Sequence, residues 1–354
     1  MKSKRCSQNN CQCFIIPSYI LENLAKNNIE EARISLSKSR QVRVRRKIKE
    51  FDITGIVDLT NEVYRPYSES ARHVYDCKGG TKLRAMEVRK EGDRSSTQDS
   101  AVNHAYDYAG IVRDYYLNVF LRNSIDNNGL DLVLNVHYGH NFMNAFWDGD
   151  EMVFGDGDGE IFINFTNALD VIGHELTHGV TQFTNGLEYA GQSGALNEHI
   201  SDVFGIAIKQ NYLKQTAQDA DWLIGADIMG PSLKGQALRS MKAPGTAFDN
   251  KLMGKDLQPD HMKNYYQGED DNNGVHINSG IPNKVFYLVS MEIGTDQAAL
   301  IWYHAIQSLY ATANFNQFVD MVETAAQKLA DSGVVPATAA KTVKTAFNTV
   351  GLPY

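Results

Sequence analysis

Strand-forming segments end near residue 168 and helix-forming ones take over from there, and that order narrows the possible folds more than any single residue does. From Phe51 to about Asp93, short β-branched and aromatic runs such as "ITGIVDL" and "RHVYDCKGG" are broken by Gly and Asn, which favours strands and turns. One helix interrupts them: "DSAVNHAYDYAGIVRDYYLNVFLR", residues 99 to 122, spaces its apolar residues at helical intervals behind Asp99 or Ser100 as N-cap. "DLVLNVHY", "NAFWDGD", "EMVFGDGD" and "EIFINF" then read as strands joined by Asp-Gly turns. A calcium-binding EF-hand loop starting at Asp156 would need Gly at 161 and Glu at 167, where the chain has Ile161 and Asn167, so "GDGDG" is read as a hairpin turn. Past Ala168, periodic apolar segments near 169–185, 194–214, 281–292, 296–311, 315–331 and 336–349 predict helices. Strands before helices imply an α+β protein with a β-rich lobe, a helical lobe and the segment 171–182 at their junction, where ligand sites concentrate.

That segment, "VIGHELTHGVTQ", carries polar groups an apolar helix has no reason to hold. His174 and His178 are four apart and share a helix face, so both imidazoles can turn toward one point. Glu175 lies about a hundred degrees round the wheel, able to face the same cleft without entering a coordination shell. Two hydrogen-bonded histidines in a core helix would be the plainer account, but the next helix argues against it. In "SGALNEHISDVFG", Glu198 and Asp202 are again one turn apart on one face, while Ala195, Ile200, Val203 and Phe204 remain for packing. A catalytic zinc takes three protein ligands and leaves one position open, and two histidines with a carboxylate are a standard set. Glu198 completes it. Asp202, otherwise a solvated helix face, is placed to accept the other ring N–H of His174 and so fix its tautomer.

The charge divides the chain. Residues 1–50 hold twelve Lys/Arg against four Glu, a balance of +8, leaving 22 basic and 38 acidic residues in the remainder, or −16. The basic run "RQVRVRRKIK" (Arg40 to Lys49) would suit nucleic acid, yet docking on the acidic body or serving as a protease-sensitive linker accounts for it more simply. Neither a nucleic-acid nor a membrane partner is expected, and the protein is expected to be a monomer. Residues 19–37 read as short helical pieces interrupted at Asn27 and Asn28. Phe14 to Leu21 is broken by Pro17 and Ser18 with no small-residue cleavage pattern after it, so no classical signal peptide is expected. That reading has the protein released by an unconventional route, the preferred case, or kept in the cytoplasm. Cys6, Cys11 and Cys13 fall in the basic head and Cys77 stands alone in the body, so no disulfide framework holds the body together. The head cysteines read most simply as free thiols on a mobile segment, although a CxC pair is also able to ligate a metal or to latch a thiolate over one.

"HELTH" followed by "GALNEHISD" at this spacing resembles the thermolysin-like neutral proteases, the M4 family of zinc metallopeptidases. "NAFW" (Asn144 to Trp147), "MVFGDGDG" (Met152 to Gly159), "LRSM" (Leu238 to Met241) and "GVHINSGIPNK" (Gly274 to Lys284) resemble family landmarks in the expected order, so the likeness runs over roughly residues 70 to 354. It implies a two-lobed catalytic body, 51–185 and 186–354, with one zinc held by His174, His178 and Glu198. Glu175 would take a proton from the water on zinc and pass it to the leaving amine. Tyr189 and His276 would bond the oxyanion, with Asp271 orienting His276; such donors are each worth about 3 kcal/mol. Asn144, the Ala145 backbone and Arg239 would hold the substrate's main chain. Phe162, Phe165, Val171 and Leu238 match the pocket for the residue after the cut bond, implying cleavage before bulky apolar side chains of proteins and peptides; otherwise these four are simply core. A serine hydrolase is a poorer fit, because "GQSGA" (Gly191 to Ala195) ends in Ala where a nucleophile elbow wants Gly. A zinc-bound relative without turnover would not need Glu175, Tyr189 and His276 all intact.

The head, "CQCFIIPSYILENLAKN", resembles the short propeptide of protealysin-like members, with Ile16-Pro17-Ser18 replacing part of their double proline. The resemblance implies that residues 1–50 are an inhibitory prosegment, removed by self-cleavage in or near the Arg-Lys run. Positions matching the family's paired calcium site are Lys209, Leu223 and Ala226, leaving Asp170, Asp219 and Asp221, too little negative charge for two ions. Calcium is therefore expected to be dispensable or to bind at one weak site.

Overall fold

The computed structural model describes residues 13–52 and 70–354, with side chains from 13–42 and 70–354. The elements, in chain order, are α1 (Ser18–Lys26), α2 (Glu30–Asp52), β1 (Arg72–Asp76), β2 (Met86–Lys90), α3 (Ser100–Phe120), β3 (Leu132–Val136), β4 (Ala145–Trp147) and β5 (Met152–Phe154). After them come α4 (Leu169–Thr184), α5 (Gly191–Leu213), β6 (Leu223–Ile224), β7 (Arg239–Ser240), β8 (Asp249–Asn250) and β9 (Gly254–Lys255). Helices α6 (Asp270–Asn278), α7 (Gly280–Ile293), α8 (Thr295–Ile306), α9 (Phe315–Asp331) and α10 (Ala339–Thr349) complete the chain. The strands of the main sheet precede the run of long helices as the pattern predicts, but four two-residue strands, β6 to β9, fall between α5 and α6 where the pattern gave no strand. The expected strand over "ITGIVDL" lies outside the described residues.

Among the described residues the first lobe carries a five-stranded sheet in the order β2-β1-β3-β5-β4. β1, β3 and β5 run parallel, and an antiparallel strand closes each edge. Helix α3 packs on this sheet, started by Asp99, whose carboxylate accepts the Ala101 and Val102 N–H groups. The β4–β5 hairpin turns at Asp148-Gly149, Asp148 N–H donating to the Glu151 carbonyl at 3.1 Å. Two expectations fail just beyond it. "EIFINF" makes no strand: the Asp158 carboxylate accepts the N–H groups of Glu160, Ile161 and Phe162, bending the chain, and Phe162 only bridges Met229. "GDGDG" is accordingly a loop folded back on Phe142 and Phe162 rather than a hairpin.

The second lobe is helical around fully buried Trp302, whose ring lies 5.1 Å from Phe286 and 6.3 Å from Phe318. No helix among the described residues is long and apolar enough to cross a membrane. The lobes meet where α4 crosses α5, and the crossing is unusually close because both helices offer glycine there. A Cβ on Gly173 would sit 3.1 Å from Gly205 Cα, and one on Gly205 would sit 2.6 Å from the Asp170 carbonyl oxygen. Backbones this close put the side chains one turn on from each glycine within reach of the other helix.

The head lies against both lobes. α1 and α2 form a pair separated by Asn28 in a left-handed conformation, φ 65°. The second helix continues through the basic run to Asp52, well past the short piece the sequence suggested. Asn23 donates to the Met253 carbonyl at 2.9 Å, and the Ser35 hydroxyl accepts the Met143 N–H at 2.9 Å.

Candidate active site

Helix α4 carries His174, Glu175 and His178, and α5 carries Glu198 and Asp202; all five are fully buried. The two imidazole Nε2 atoms lie 3.0 Å apart, and each is 3.5 Å from an oxygen of Glu198. Three donors around one zinc, with bonds of about 2.0–2.1 Å, stand about 3.3 Å from one another, so these spacings fit the ion. The partners of the rings make the same point. His174 Nδ1–H donates to Asp202 Oδ1 at 2.8 Å, and His178 Nδ1–H to Asn197 Oδ1 at 2.8 Å. With both Nδ1 atoms protonated, both Nε2 lone pairs face the same point, where a cation would satisfy them. Burial, then the neighbouring His174, pushes the His178 pKa well below its ordinary value, keeping that ring neutral as a ligand must be. Glu198 Oε2 is buried with no hydrogen-bond partner, a further donor for a cation.

Asp202 joins the two lobes of charge. Arg239 on β7 donates Nε–H to Asp202 Oδ2 and an Nη2–H to Oδ1, both at 2.8 Å, and Asn283 adds a third bond at 2.9 Å. Burial opposes ionisation of Asp202, but Arg239 and His174 outweigh it and hold the carboxyl well below the usual range. Glu175 behaves oppositely: burial, then Glu198, raises its pKa well above the ordinary value. Its Oε2 accepts the Trp147 N–H at 3.0 Å, while Oε1 has no hydrogen-bond partner.

Tyr189 and His276 complete the floor. The Tyr189 hydroxyl bonds Glu198 Oε1 and lies 3.2 Å from His276 Nε2. His276 reaches the site because α6 is broken by four left-handed residues, Asp271, Asn272, Asn273 and Gly274. Asp, Asn and Gly are the residues that tolerate that conformation, and the kink lets Asp271 accept both the His276 backbone N–H at 2.8 Å and its Nδ1–H at 2.6 Å. Burial alone would lower the His276 pKa, but Asp271 and Glu198 raise it on balance.

The head occupies the cleft. The Ile15 N–H donates to the Ala145 carbonyl at 3.2 Å, and Arg239 Nη1–H donates to the Ile15 carbonyl at 3.4 Å. Asn144 holds Ile16 from both sides, accepting its N–H at 2.9 Å and donating to its carbonyl at 3.2 Å. His276 Nε2–H donates to the Phe14 carbonyl at 3.0 Å, and Phe14 stands 5.0 Å from Phe146, ring to ring, across an antiparallel bridge to β4. Phe162, Phe165, Val171 and Leu238 are buried in the same apolar core as Ile15 and Ile16. Asn197 and Ser201 beside His178 were missed by the sequence reasoning, although they repeat the i, i+4 spacing of Glu198 and Asp202 one position earlier. Asn283 was also missed; it sits inside "GVHINSGIPNK" and bonds both Asp202 and the buried His199, which is no metal donor. Cys13 corrects the sequence reading, being fully buried and disulfide-bonded rather than a free thiol on a mobile segment.

Comparison with known proteins follows the same lines. The thermolysin metallopeptidase catalytic domain matches residues 42–182 and the thermolysin metallopeptidase alpha-helical domain residues 185–352. A solved structure titled as the precursor of protealysin, a metalloproteinase from Serratia proteamaculans, is similar at TM-score 0.83 and 43% identity, covering 96% of this chain and 99% of that one. Protease PrtS of a Photorhabdus strain is 43% identical, over 94% of this chain and 91% of its own length. An extracellular metalloprotease of Pectobacterium carotovorum is 43% identical over 86% and 88%. The Alicyclobacillus acidocaldarius thermolysin is 42% identical over 74% of this chain but only 47% of its own length. These names overturn the expectation of a cytoplasmic or unconventionally released protein, which rested on the missing signal pattern alone: one relative is named as extracellular, and no unconventional route is shown. The chain belongs to the thermolysin metallopeptidases of family M4, among the protealysin-like members that begin with a short prosegment.

Proposed function

We propose that this chain is the zymogen of a neutral zinc endopeptidase that cuts on the N-terminal side of bulky hydrophobic residues and acts outside the cell. The observation that carries the reading is the head lying along β4 through a single antiparallel bridge, its Phe14–Ile15 bond flanked by His276 on one side and by Ala145 and Arg239 on the other. A substrate held by the same groups would extend the sheet edge through its main chain and present one side chain to a pocket, where fully buried Ile15 now sits.

His174, His178 and Glu198 would hold one zinc, which supplies a water acidic near neutrality and polarises the scissile carbonyl. Glu175, kept basic enough by burial and by Glu198, takes a proton from the attacking water and hands it to the leaving amine. The Ile15 N–H, which donates to the Ala145 carbonyl at 3.2 Å, marks where a leaving amine would stand. His276 and Tyr189 donate to the oxyanion. Residues 1–50 form the prosegment, 51–185 and 186–354 the two catalytic lobes, and the head is removed by the enzyme's own activity.

Zinc is the sole metal required. Where paired calcium would need carboxylates, the Lys209 ammonium lies 3.6 Å from Asp170 and 3.2 Å from Asp227, supplying positive charge itself. Wild type and Glu175→Ala, expressed side by side, test the reading: the wild type sheds its head and hydrolyses casein, whereas the variant keeps its zinc, stays full length and is inert. A Glu175→Ala chain that still trims its own head contradicts it.

A further inference from the structure

Cys13 immediately precedes the residue whose carbonyl His276 holds, and it is pinned there by the bonds at Phe14, Ile15 and Ile16. It is fully buried against Tyr189 and Val275. Its Sγ lies within 4.8 Å of both the His178 and the Glu198 donor atoms. A thiolate completing a tetrahedral zinc site would stand about 3.6 Å from the nitrogen and oxygen donors, so this sulfur, already near His178 and Glu198, would move further in toward the point they share with His174. Glu198 Oε2, buried and without a hydrogen-bond partner, is a donor left open at this site.

A second fact decides when the sulfur can serve. Cys13 is disulfide-bonded, and Cys77 is a free thiol, so the partner lies outside the described residues. A disulfide sulfur is a poor zinc donor and a thiolate a strong one. A peptide bond held by Ala145, Arg239 and His276 beside Glu175 ought to be cut at Phe14–Ile15 unless water is kept from it.

We propose that Cys13 is a redox-controlled ligand to the active-site metal, capping it as a thiolate when reduced and releasing it when tied into a disulfide with another head cysteine. The proposal rests on the zinc reading above. A dithiol reductant exchanges with the disulfide, giving two head thiols and an oxidised dithiol; Cys13 would then give its proton to solvent and, with His174, His178 and Glu198, take the position at the metal that those three leave open. Oxidation by a small disulfide runs the exchange backwards, transferring two electrons to the oxidant, and water returns. Reducing conditions therefore keep the prosegment intact, and oxidising ones turn the segment holding the cleft into a substrate.

The test uses the full chain carrying Glu175→Ala, which stays uncut, loaded with cobalt or zinc and assayed for metal content. In excess dithiol, the cobalt form shows sulfur-to-metal charge-transfer absorption, and X-ray absorption of the zinc form shows one sulfur at about 2.3 Å. Cys13→Ser and Cys13→Ala abolish both signals, and Cys6→Ser with Cys11→Ser retains them even without dithiol. With Glu175 intact, cleavage of the Phe14–Ile15 bond, read by mass, is at least tenfold slower in dithiol than after oxidation, and Cys13→Ser loses that dependence. A metal-loaded, reduced chain with no sulfur neighbour overturns the proposal, as does a sulfur signal that survives Cys13→Ser. A chain that takes up no metal fails the zinc reading itself, and the metal assay identifies that case.

Discussion

His276 and Phe14 are joined across most of the chain by one hydrogen bond, imidazole Nε2–H to carbonyl oxygen at 3.0 Å. The donor that would hold a substrate's developing negative charge is engaged by the protein's own head. Latency therefore depends on how well the head fits the cleft, and the fit centres on Ile15, which is fully buried.

Ile15→Asp tests that dependence. Burying an ionised carboxylate in the apolar pocket is costly enough to expel the segment. Full-length protein with this substitution should hydrolyse peptides at least tenfold faster than unprocessed wild type, measured before any head is lost on a gel. Equal latency in the two would show that the fit at Ile15 does not hold the head in place.

Gly205→Ala should damage the site without touching it. The added methyl meets the Asp170 carbonyl oxygen at 2.6 Å, a backbone atom that can move only by parting α4 from α5. We expect about 1–3 kcal/mol less stability in denaturant unfolding, together with weaker zinc binding. The same substitution at Gly159, where a Cβ meets nothing within 4 Å but φ is 79°, should cost less and leave zinc affinity alone.

Much of this arrangement is legible in the sequence because it is local. The i, i+4 pairs on α4 and α5 announce the donors, and the Asp99 cap announces α3. What was illegible depends on contacts between distant residues. "EIFINF" has strand composition, but the Asp158 carboxylate takes three of its backbone N–H groups and leaves no ladder to join. The left-handed run Asp271–Gly274 is compatible with "DDNNG", yet nothing local says that it turns His276 toward a helix almost eighty residues earlier. The buried place of Cys13 depends on the head docking along β4, which composition and periodicity do not reveal.

Asp202→Asn should weaken metal binding by about 10–100-fold, because Asp202 fixes the His174 tautomer while pairing with Arg239. Chelator competition measures the affinity. The substitution also leaves the buried Arg239 without its carboxylate, so unfolding stability should fall by several kcal/mol, on the order of 3–5. An unchanged affinity would mean the His174–Asp202 bond does not shape the ligand.

His137 predicts a pH dependence of stability away from the cleft. Its ring bonds Asp156 at 2.9 Å and Asp99 at 2.8 Å, raising its pKa from 6.5 to about 9 through Asp156 first, against the opposing effect of burial. The pair's stabilisation is fully present below the unfolded value of 6.5 and disappears as pH rises through about 9. His137→Gln should therefore destabilise the protein at pH 6 by on the order of 2 kcal/mol, reduced from the full shift because both carboxylates are partly exposed, and by much less at pH 10. Equal losses at both pH values would assign the effect to packing.

The most direct test of the central claim is the position of zinc in the folded protein, located by anomalous scattering at the zinc edge. The account predicts one zinc per chain, about 2.1 Å from His174 Nε2, His178 Nε2 and a Glu198 oxygen. A folded chain with no zinc there, or a zinc bound elsewhere while these three side chains stay uncoordinated, would contradict it.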